Sequence, residues 1–460
     1  MNIMTSKHTS GITKHCARIG DIILGEDYPV RIQSMTDTPT LNVEKTVKQC
    51  IRAFEAGADL MRIGVPDFLS VEAFRKIKKE LHESGFNRPL VADIHFSPKL
   101  ALAVAPYADK IRINPGNYLN IKKTDTQDRD LFASELMHAL KPLTDVCLDH
   151  GTAIRIGTNS ASLPQHMVEL HGRGAVAMAE ATALYLNVFE RLNFHNLVIS
   201  LKASSPRLMM ESQILMKERM LKQGKSYPMH IGVTEAGEGI NGRMKSALGI
   251  ITLLQQGIGN TIRVSLTEPP EYEIAFAKKL LHFFNPVSKK ESFSNHHKKR
   301  IDKQTYSETD TDILIIKLVR DFGQVLLEGR IDEPSVGMPN LQNSNLKNRL
   351  INQLLQASGR KQTDTEFISC PSCARTSFDM TPLLKTLKAE FSGMPGLKIA
   401  LMGCVVNGPG EMEDADYGLL CSSKGKVHLY KGHQLLYSDL SPSLATNKLK
   451  EIIKTDKKTT

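Results

Sequence analysis

Residues 110–117 read KIRINPGN and residues 153–159 read AIRIGTN, and these two stretches decide the fold. Each begins with a short run of apolar and charged residues that is typical of a strand, and the first passes into Asn-Pro-Gly, a turn-forming sequence. Residues two apart in a strand share a face, so Arg112 and Asn114 are expected to point the same way. Similar runs recur along the first part of the chain, commonly about thirty residues apart, which is the size of one strand–helix unit.

Eight strand candidates alternate with amphipathic helical segments. The strand candidates are residues 30–34, 60–64, 90–94, 110–113, 153–157, 197–201, 229–233 and 261–265. This pattern predicts an α/β fold with a closed (β/α)8 TIM-type barrel at residues 20–285. An open doubly wound sheet is the alternative, but no Gly-rich dinucleotide loop follows the first strand. Cys50 and Cys147 lie on apolar faces and are expected in the core.

Charged and polar residues gather near the ends of these strands. The cations are Arg62, Arg112, Arg155, Lys202 and Arg263. The polar residues are Gln33, Asp93, His95, Asn114, Asn159, Glu235 and Ser265. If the strands close into a barrel, these groups converge on its C-terminal mouth. Five converging cations repel one another unless an anion of comparable charge binds, and guanidinium groups match phosphate oxygens well. The sequence therefore predicts a small acidic substrate, with a diphosphate as the natural candidate.

Three cysteines and a glutamate near the C-terminus form a second candidate site. Cys370 and Cys373 lie in CPSC, and Cys404 and Glu411 lie in GCVVNGPGE. Three thiolates and one displaceable carboxylate differ from the four strong ligands of a structural metal site, and an iron–sulfur cluster fits them best. A zinc ribbon that uses Cys421 instead of Glu411 stays open as an alternative, although Cys421 lies in a strand-like run and is expected in the core.

The rest of the chain divides into an insert, a small module and a tail. Residues 286–365 are interpreted as a linker followed by a helical insert, with helices near 313–327 and 346–355. Residues 366–446 are expected to form a small α+β iron–sulfur domain, and residues 447–460 a basic tail. The strand near 397–402 would deliver Cys404 to the turn that precedes Glu411.

Composition excludes several classes of protein. The 460 residues are 41% hydrophobic and 23% charged, and no apolar run is long enough to span a bilayer. No segment of signal-peptide type is present near the N-terminus, so a cytoplasmic enzyme without a membrane partner is expected. The formal charge of +10 suggests nucleic acid, but much of the excess lies at 289–303 and 448–458, and aromatic residues are only 6%. No nucleic-acid partner is therefore predicted.

Nine motifs in order resemble the 4-hydroxy-3-methylbut-2-en-1-yl diphosphate synthase family, the GcpE-type enzymes of the methylerythritol phosphate pathway. They are QSMTD (33–37), VADIHF (91–96), RINPGN (112–117), IRIGTNSASL (154–163), SLKAS (200–204), TEAG (234–237), IRVSL (262–266), CPSCART (370–376) and GCVVNGPGE (403–411). The resemblance covers residues 20–285 and 366–437. It implies a barrel that binds methylerythritol cyclodiphosphate and a following domain that holds a [4Fe–4S] cluster.

The resemblance also implies roles for individual residues. Cys370, Cys373, Cys404 and Glu411 match the family's cluster ligands, and Glu411 near Asn407 is expected to deliver a proton. The implied reaction is a two-electron reductive ring opening and dehydration, with ferredoxin or flavodoxin as the electron donor. Short members of this family commonly form dimers, so a homodimer is a candidate assembly. The insert at 286–365 is similar to the extra domain of plant-type and chlamydial-type members, although it is shorter.

Overall fold

Eight parallel strands form the first part of the molecule. The computed structural model describes residues 6–7, 11–94, 97–119, 129–284, 303–341, 344–370, 376, 379–404, 408–412, 415–422 and 425–459. The strands are β1 (Arg31–Met35), β2 (Leu60–Gly64), β3 (Leu90–Asp93), β4 (Lys110–Ile113), β5 (Ala153–Asn159), β6 (Leu197–Lys202), β7 (His230–Ile231) and β8 (Thr261–Ile262). They pair in the order β6-β5-β4-β3-β2-β1-β8-β7. A parallel bridge between Ile199 and Met229 joins the two ends of this sheet. The (β/α)8 barrel predicted from the sequence is confirmed.

Helices surround the barrel. They are α1 (Val43–Ala56), α2 (Phe68–Glu83), α3 (Pro98–Val104), α4 (Arg129–His150), α5 (Gln165–His171), α6 (Ala175–Arg191), α7 (Pro206–Lys222), α8 (Gly239–Gln255) and α9 (Pro270–Phe284). Helix α1 shows how sequence sets the ends of a helix. The Asn42 side chain accepts a hydrogen bond from the backbone N–H of Lys45, and Gly57, with φ of 113°, ends the helix in a conformation that L-residues avoid.

Strands β7 and β8 are shorter than the sequence predicted. Runs at 229–233 and 261–265 were expected as strands, but each pairs with its neighbour over only two residues. The chain leaves the ladder at Gly232, which has φ of 147° and where a Cβ would lie 2.1 Å from the carbonyl oxygen of Arg263. This close backbone approach requires glycine, and it frees the following TEAG segment to form a loop at the mouth.

An N-terminal hairpin closes the opposite end of the barrel. Its strands, Ala17–Ile19 and Ile22–Leu24, pair antiparallel, and their buried apolar side chains pack on Leu60, Val91 and Ala153. Burial of this apolar layer removes water from the floor of the barrel. The floor is therefore dry, and access to the interior is from the C-terminal mouth.

The insert packs against the barrel. Its two helices are α10 (Thr311–Leu327) and α11 (Ser344–Ala357), and the bounds predicted from the sequence were shorter by a few residues. Leu314, Leu318 and Phe322 of α10 belong to the same buried cluster as the barrel helices. Where α10 crosses α8, a Cβ on Gly323 would lie 2.9 Å from Leu248 Cδ1. The insert thus extends the barrel's own core.

A mixed five-stranded sheet forms the C-terminal module. Its strands, in spatial order, are β9 (Glu366–Ser369), β10 (Lys398–Met402), β11 (Tyr417–Cys421), β12 (Val427–Lys431) and β13 (Gln434–Leu440). The first three are parallel and the last two antiparallel. Three helices complete the module: α12 (Thr381–Phe391), α13 (Gly408–Glu411) and α14 (Pro442–Thr459). The α+β architecture expected from the sequence is confirmed.

The segment expected as a basic tail is helical. Helix α14 runs through most of residues 447–460, and its Ala445, Leu449 and Ile453 are buried in the core of the module. These three apolar residues recur at intervals of four and therefore form one face of a helix. The lysines lie between them in the sequence, and for that reason the segment was predicted as a basic tail and not as a helix. Among the described helices, none combines the length and hydrophobicity needed to cross a lipid bilayer.

Candidate functional site

The barrel mouth brings two arginines to one carboxylate. Arg62 Nη2 lies 2.7 Å from Asp93 Oδ1, and Arg112 Nη1 lies 3.6 Å from the same oxygen. Arg112 Nη2 also donates a hydrogen bond of 2.8 Å to the carbonyl oxygen of Gly157. A Cβ at Gly157 would lie 2.7 Å from Arg112 Nε, so glycine makes room for the guanidinium. Neighbouring strands β2, β3, β4 and β5 supply these four residues, as their register requires.

Arg155 lies beside this group, where the charge of Asp93 only partly offsets that of the neighbouring arginines. Its exposure is 2%, and among the described residues its Nε and Nη1 atoms have no hydrogen-bond partner. Burial, followed by the positive charges of Arg62 and Arg112, lowers the pKa of Arg155. A guanidinium keeps its proton in proteins, so Arg155 stays positively charged and has N–H donors without a described acceptor. Both properties favour binding of an anion.

Lys202 and Arg263 extend the cationic group across the barrel. Burial lowers the pKa of Lys202, and the charges of Arg155 and Arg263 lower it further, while Glu235 opposes them. Arg263 Nη2 lies 3.4 Å from Glu273 Oε1 on α9. Burial raises the pKa of Glu273 against the opposing effects of Arg263, the backbone N–H of Leu266 and the hydroxyl of Ser34. The five cations predicted from the sequence therefore lie in one electrostatic neighbourhood.

Polar residues of the mouth loops have structural contacts. Asn114 Nδ2 donates to Ser162 Oγ at 2.7 Å, and Asn159 Oδ1 accepts from the backbone N–H of Ala161 at 2.8 Å. Both amides thereby shape the loop that follows β5. Glu235 is 5% exposed and adopts φ of 48°, a conformation that is uncommon outside glycine and asparagine and that concentrates at functional sites. Ser265 is 3% exposed just beyond β8.

Two described cysteines meet at one edge of the C-terminal sheet. Cys370 follows β9 and Cys404 follows β10, and these strands are parallel neighbours. The backbone N–H of Gly403 donates to Cys370 Sγ at 3.2 Å. Parallel strands end at the same edge, so both half-buried thiols lie on the side where the module contacts the barrel.

Other predicted site residues lie outside the described part of the chain. His95, Cys373 and Asn407 are among them, and for Glu411 only the backbone, in α13, is described. Within the described ranges no group of three or more His, Cys, Asp or Glu side chains is placed to hold a metal ion. Two of the four predicted cluster ligands, Cys373 and the side chain of Glu411, lie outside those ranges.

The module sits on the barrel mouth of its own chain. Ser369, directly before Cys370, forms a parallel bridge with Ala236, directly after Glu235. Ser369 Oγ also lies 2.8 Å from Thr267 Oγ1. On the other side of the mouth, Gly410 packs so closely on Ala161 that a Cβ would lie 1.8 Å from the Ala161 carbonyl oxygen. The cysteine-bearing edge and α13 thus face the cationic group within one polypeptide.

Ion pairs support this docking. Lys388 Nζ of α12 lies 2.8 Å from Glu238 Oε1, and Lys245 of α8 pairs with Glu366 at the start of β9. Lys245 is 2% exposed, and its charge is the first cause that lowers the pKa of Glu366. A buried pair between two domains is costly to break because each partner leaves an uncompensated charge.

Three further cysteines are core residues, as the sequence predicted. Cys50, Cys147 and Cys421 are buried, and burial raises the pKa of each thiol to about 12. In the described part of the chain, Cys421 forms no group of three metal-binding side chains with Cys370 and Cys404.

Sequence reasoning missed several buried polar groups of the barrel. Lys110 and His230 were not recognised, and Gln33 was noted only as a polar neighbour. Each is at most 1% exposed, and the structure describes no hydrogen-bond partner for Lys110 Nζ, His230 Nε2 or either amide atom of Gln33. One signal was available for Lys110, which lies two residues before Arg112 and therefore shares its inward face. Glu273, which pairs with Arg263, lies on a helix and carried no comparable signal.

The chain is similar to known proteins over nearly its whole length. A family model described as the GcpE TIM-barrel domain matches residues 14–278, and one described as the GcpE protein C-terminal domain matches residues 366–455. The 4-hydroxy-3-methylbut-2-en-1-yl diphosphate synthase (ferredoxin) of Rippkaea orientalis is 36% identical, with 95% of this chain and 91% of the relative covered. The corresponding flavodoxin enzyme of Parabacteroides distasonis is 30% identical, with 95% and 97% covered.

Solved structures provide a weaker comparison. Dihydropteroate synthase from Xanthomonas albilineans matches with a TM-score of 0.39 and 16% identity, covering 58% of this chain and 95% of that chain. Its limited similarity adds nothing to the family assignment, which rests on the two family models and the full-length relatives. By these matches, the chain belongs to the GcpE family.

Proposed function

We propose that this chain converts 2-C-methyl-D-erythritol 2,4-cyclodiphosphate to 4-hydroxy-3-methylbut-2-en-1-yl diphosphate, a step of isoprenoid biosynthesis. The observation that carries the proposal is the group of five cations at the barrel mouth, which outnumber the described carboxylates beside them and are covered by the cysteine-bearing edge of the same chain's C-terminal module. A diphosphate substrate would satisfy the first feature and a redox cofactor the second. The names of the full-length relatives give the product of this reaction.

A [4Fe–4S] cluster is the proposed cofactor. Its proposed ligands are Cys370, Cys373, Cys404 and Glu411. The described residues fit such a group: two thiols lie at adjacent strand ends, and the N–H of Gly403 points at one sulfur, a contact that tunes iron–sulfur centres. When bound, the cluster supplies electrons one at a time and a Lewis acid for a substrate oxygen.

The barrel cations would bind the two phosphates. Arg62, Arg112, Arg155, Lys202 and Arg263 are the proposed binding residues. Asp93 keeps two of these guanidinium groups in place, while the free Nε and Nη1 donors of Arg155 are available to phosphate oxygens. In the reaction a C–O bond of the cyclic diphosphate breaks, and the released phosphate oxygen gains negative charge. Fixed positive charges in a site that excludes water stabilise that charge.

The second bond to break joins carbon to the hydroxyl group that leaves as water. Two electrons and a proton are consumed over the whole reaction. Glu411 is proposed to deliver the proton and Asn407 to hydrogen-bond to it, while His95, Asn114, Asn159, Glu235 and Ser265 are proposed to line the substrate site. Asn114 and Asn159 also hold the loop after β5 by hydrogen bonds, so both amides would shape the substrate site as well as line it.

A one-electron donor protein is the proposed partner. The relatives include enzymes named for ferredoxin and an enzyme named for flavodoxin. We further propose that one chain completes its own active site, since Ser369 and Gly410 of the module contact the barrel of the same chain. A homodimer and a cytoplasmic location stay predictions from the sequence.

Anaerobic reconstitution tests the proposal. The protein should bind about four iron and four sulfide per chain, absorb visible light and convert the cyclodiphosphate when a one-electron reductant is present. An Arg155→Met variant, with the cluster intact, should lose substrate conversion. A colourless protein with stoichiometric zinc and no sulfide would contradict the proposed cofactor, and a cluster-loaded protein inactive with the cyclodiphosphate would contradict the proposed substrate.

A further inference from the structure

The barrel interior carries more positive than negative charge. In its described part, six cationic side chains lie in one electrostatic neighbourhood: Arg62, Lys110, Arg112, Arg155, Lys202 and Arg263. The carboxylates nearby are Asp93, Glu235 and Glu273. A buried excess of charge is unfavourable, so some of it must be relieved when no anionic ligand is bound. Arginine keeps its proton in proteins, whereas a buried lysine loses its proton readily. The two lysines are therefore the groups that can relieve the excess.

Lys110 is the less compensated of the two lysines. It begins strand β4 in register with Val91 on one side and Ala153 on the other, and both of these belong to the apolar floor layer. Its exposure is 0%, and the structure describes no partner for its Nζ atom. Lys202, by contrast, lies within the field of Glu235.

Among the described residues, the charged groups that act on Lys110 are Arg62 on β2 and Arg155 on β5, and His230 on β7 lies in the same field. Burial lowers the pKa of His230, and the charges of Lys202, Arg155 and Arg62 lower it further, so its imidazole stays neutral. Asp93, on the adjacent strand, is held by Arg62 and Arg112, so no described carboxylate is left to keep Lys110 charged.

We propose that Lys110 is uncharged in the ligand-free protein and takes up a proton when a diphosphate binds above it, so that substrate binding is coupled to proton uptake. Burial lowers the pKa of Lys110, and the charges of Arg155 and Arg62 lower it further. Phosphate oxygens bound to those guanidinium groups would offset the repulsion that the two arginines exert on a charged Lys110, and their own negative charge would attract it. The proton comes from solvent, and no bond other than N–H is made. Lys110 thus acts as a charge-adjusting residue beneath the substrate site. This inference rests on the proposed function for the identity of the ligand.

Calorimetry on the cluster-loaded, oxidised protein measures the coupling directly. Without a reductant the cyclodiphosphate binds but is not converted, and titration in buffers of different ionisation enthalpy gives the number of protons taken up. We expect uptake of about one proton near pH 8 in the wild-type protein, and a reduction by about one in Lys110→Met. Lys141→Met, which removes an exposed lysine of α4, is the matched control and should leave the number unchanged.

Two binding results would overturn the inference. One is a proton number that is the same in Lys110→Met and in the wild type. The other is an uptake that disappears in His230→Gln but persists in Lys110→Met, which would assign the proton to the imidazole. Absence of any binding heat for the cyclodiphosphate, confirmed by equilibrium dialysis, would contradict the proposed function and leave the state of Lys110 to be decided by a second measurement.

Stability of the ligand-free protein provides that second measurement. An unfolded lysine keeps its ordinary pKa of 10.5, so below that pH the unfolded state binds one more proton than a folded state with neutral Lys110. Wild-type stability should therefore rise between pH 7 and pH 9.5 relative to Lys110→Met. The variant should also have the higher melting temperature at pH 7, with the difference shrinking as pH rises. Parallel pH profiles of the two proteins would show that Lys110 is charged in the free protein.

Discussion

Replacing Gly410 with alanine should separate the C-terminal module from the barrel without damaging either. The new Cβ would lie 1.8 Å from the carbonyl oxygen of Ala161, whereas real Cβ contacts stay beyond 3.0 Å. The obstacle is backbone, so it cannot rotate away, and the contact must open by about 1.2 Å. Misplacement of catalytic groups by about 1 Å costs on the order of 100-fold in rate, or about 2.7 kcal/mol in the activation barrier. We therefore expect kcat/KM of Gly410→Ala to fall about 100-fold.

The assay compares turnover with cluster content. Steady-state conversion of the cyclodiphosphate with a chemical one-electron reductant gives kcat/KM, and visible absorption with iron and sulfide analysis reports the cluster. Gly174→Ala is the matched control, because no atom lies within 4 Å of its added Cβ and it should behave as wild type. Gly408→Ala provides a second comparison, since its Cβ would meet the side chains of Leu420 and Met402, both inside the module. A cluster-loaded Gly410→Ala protein with kcat/KM within twofold of wild type would refute docking of the module at Ala161 during turnover.

Three further predictions follow from other contacts. Asp93→Asn removes the carboxylate shared by Arg62 and Arg112. Because loss of one partner from a buried ion pair costs ~3–5 kcal/mol, denaturant unfolding should show a clear loss of stability. Asp145→Asn, at an exposed ion pair, is the control and should show no such loss. Mixing Arg155→Met with Cys370→Ser should restore no activity, because the barrel and module sites meet within one chain; substantial recovery on mixing would contradict closure in cis. Burial is the main cause that lowers the pKa of His15 to about 4. Between pH 6.5 and pH 4 the unfolded state therefore binds one more proton at this residue than the folded state, and wild-type stability should fall as the pH falls through that range. His15→Phe should show a smaller fall, and identical acid profiles of thermal unfolding would refute the assignment.

The barrel could be predicted from the sequence because its signals are local. Apolar runs recurring at the length of one strand–helix unit identify repeated units, and the inward alternation of Arg112 and Asn114 follows from the two-residue period of a strand. The five cations were identified because each lies within or directly after one of these strands. Lys110 was missed although it obeys this rule, since a cation at the start of a strand is usually exposed.

Contacts between distant parts of the chain could not be predicted in this way. Glu273 lies on a surface helix by its sequence pattern, and only the packing of α9 against β1 brings it to Ser34 and Arg263. The segment of α14 was predicted as a charged tail because nothing near it in the sequence indicates that the core of the module buries its apolar residues. The sequence of the insert likewise predicted two helices but did not indicate which surface they pack against.

The sequence by itself determined the repeated strand–helix units, the cations at the strand ends and the three cysteines with Glu411, because each depends on residue types and short spacings. The tertiary structure alone decided that the module contacts its own barrel and that Lys110 and Arg155 are buried among described cations that outnumber the carboxylates. These properties arise from exclusion of water between segments far apart in the chain. Electrostatic energy in a dry interior depends on all the charges that surround a group, and no single stretch of sequence contains that information.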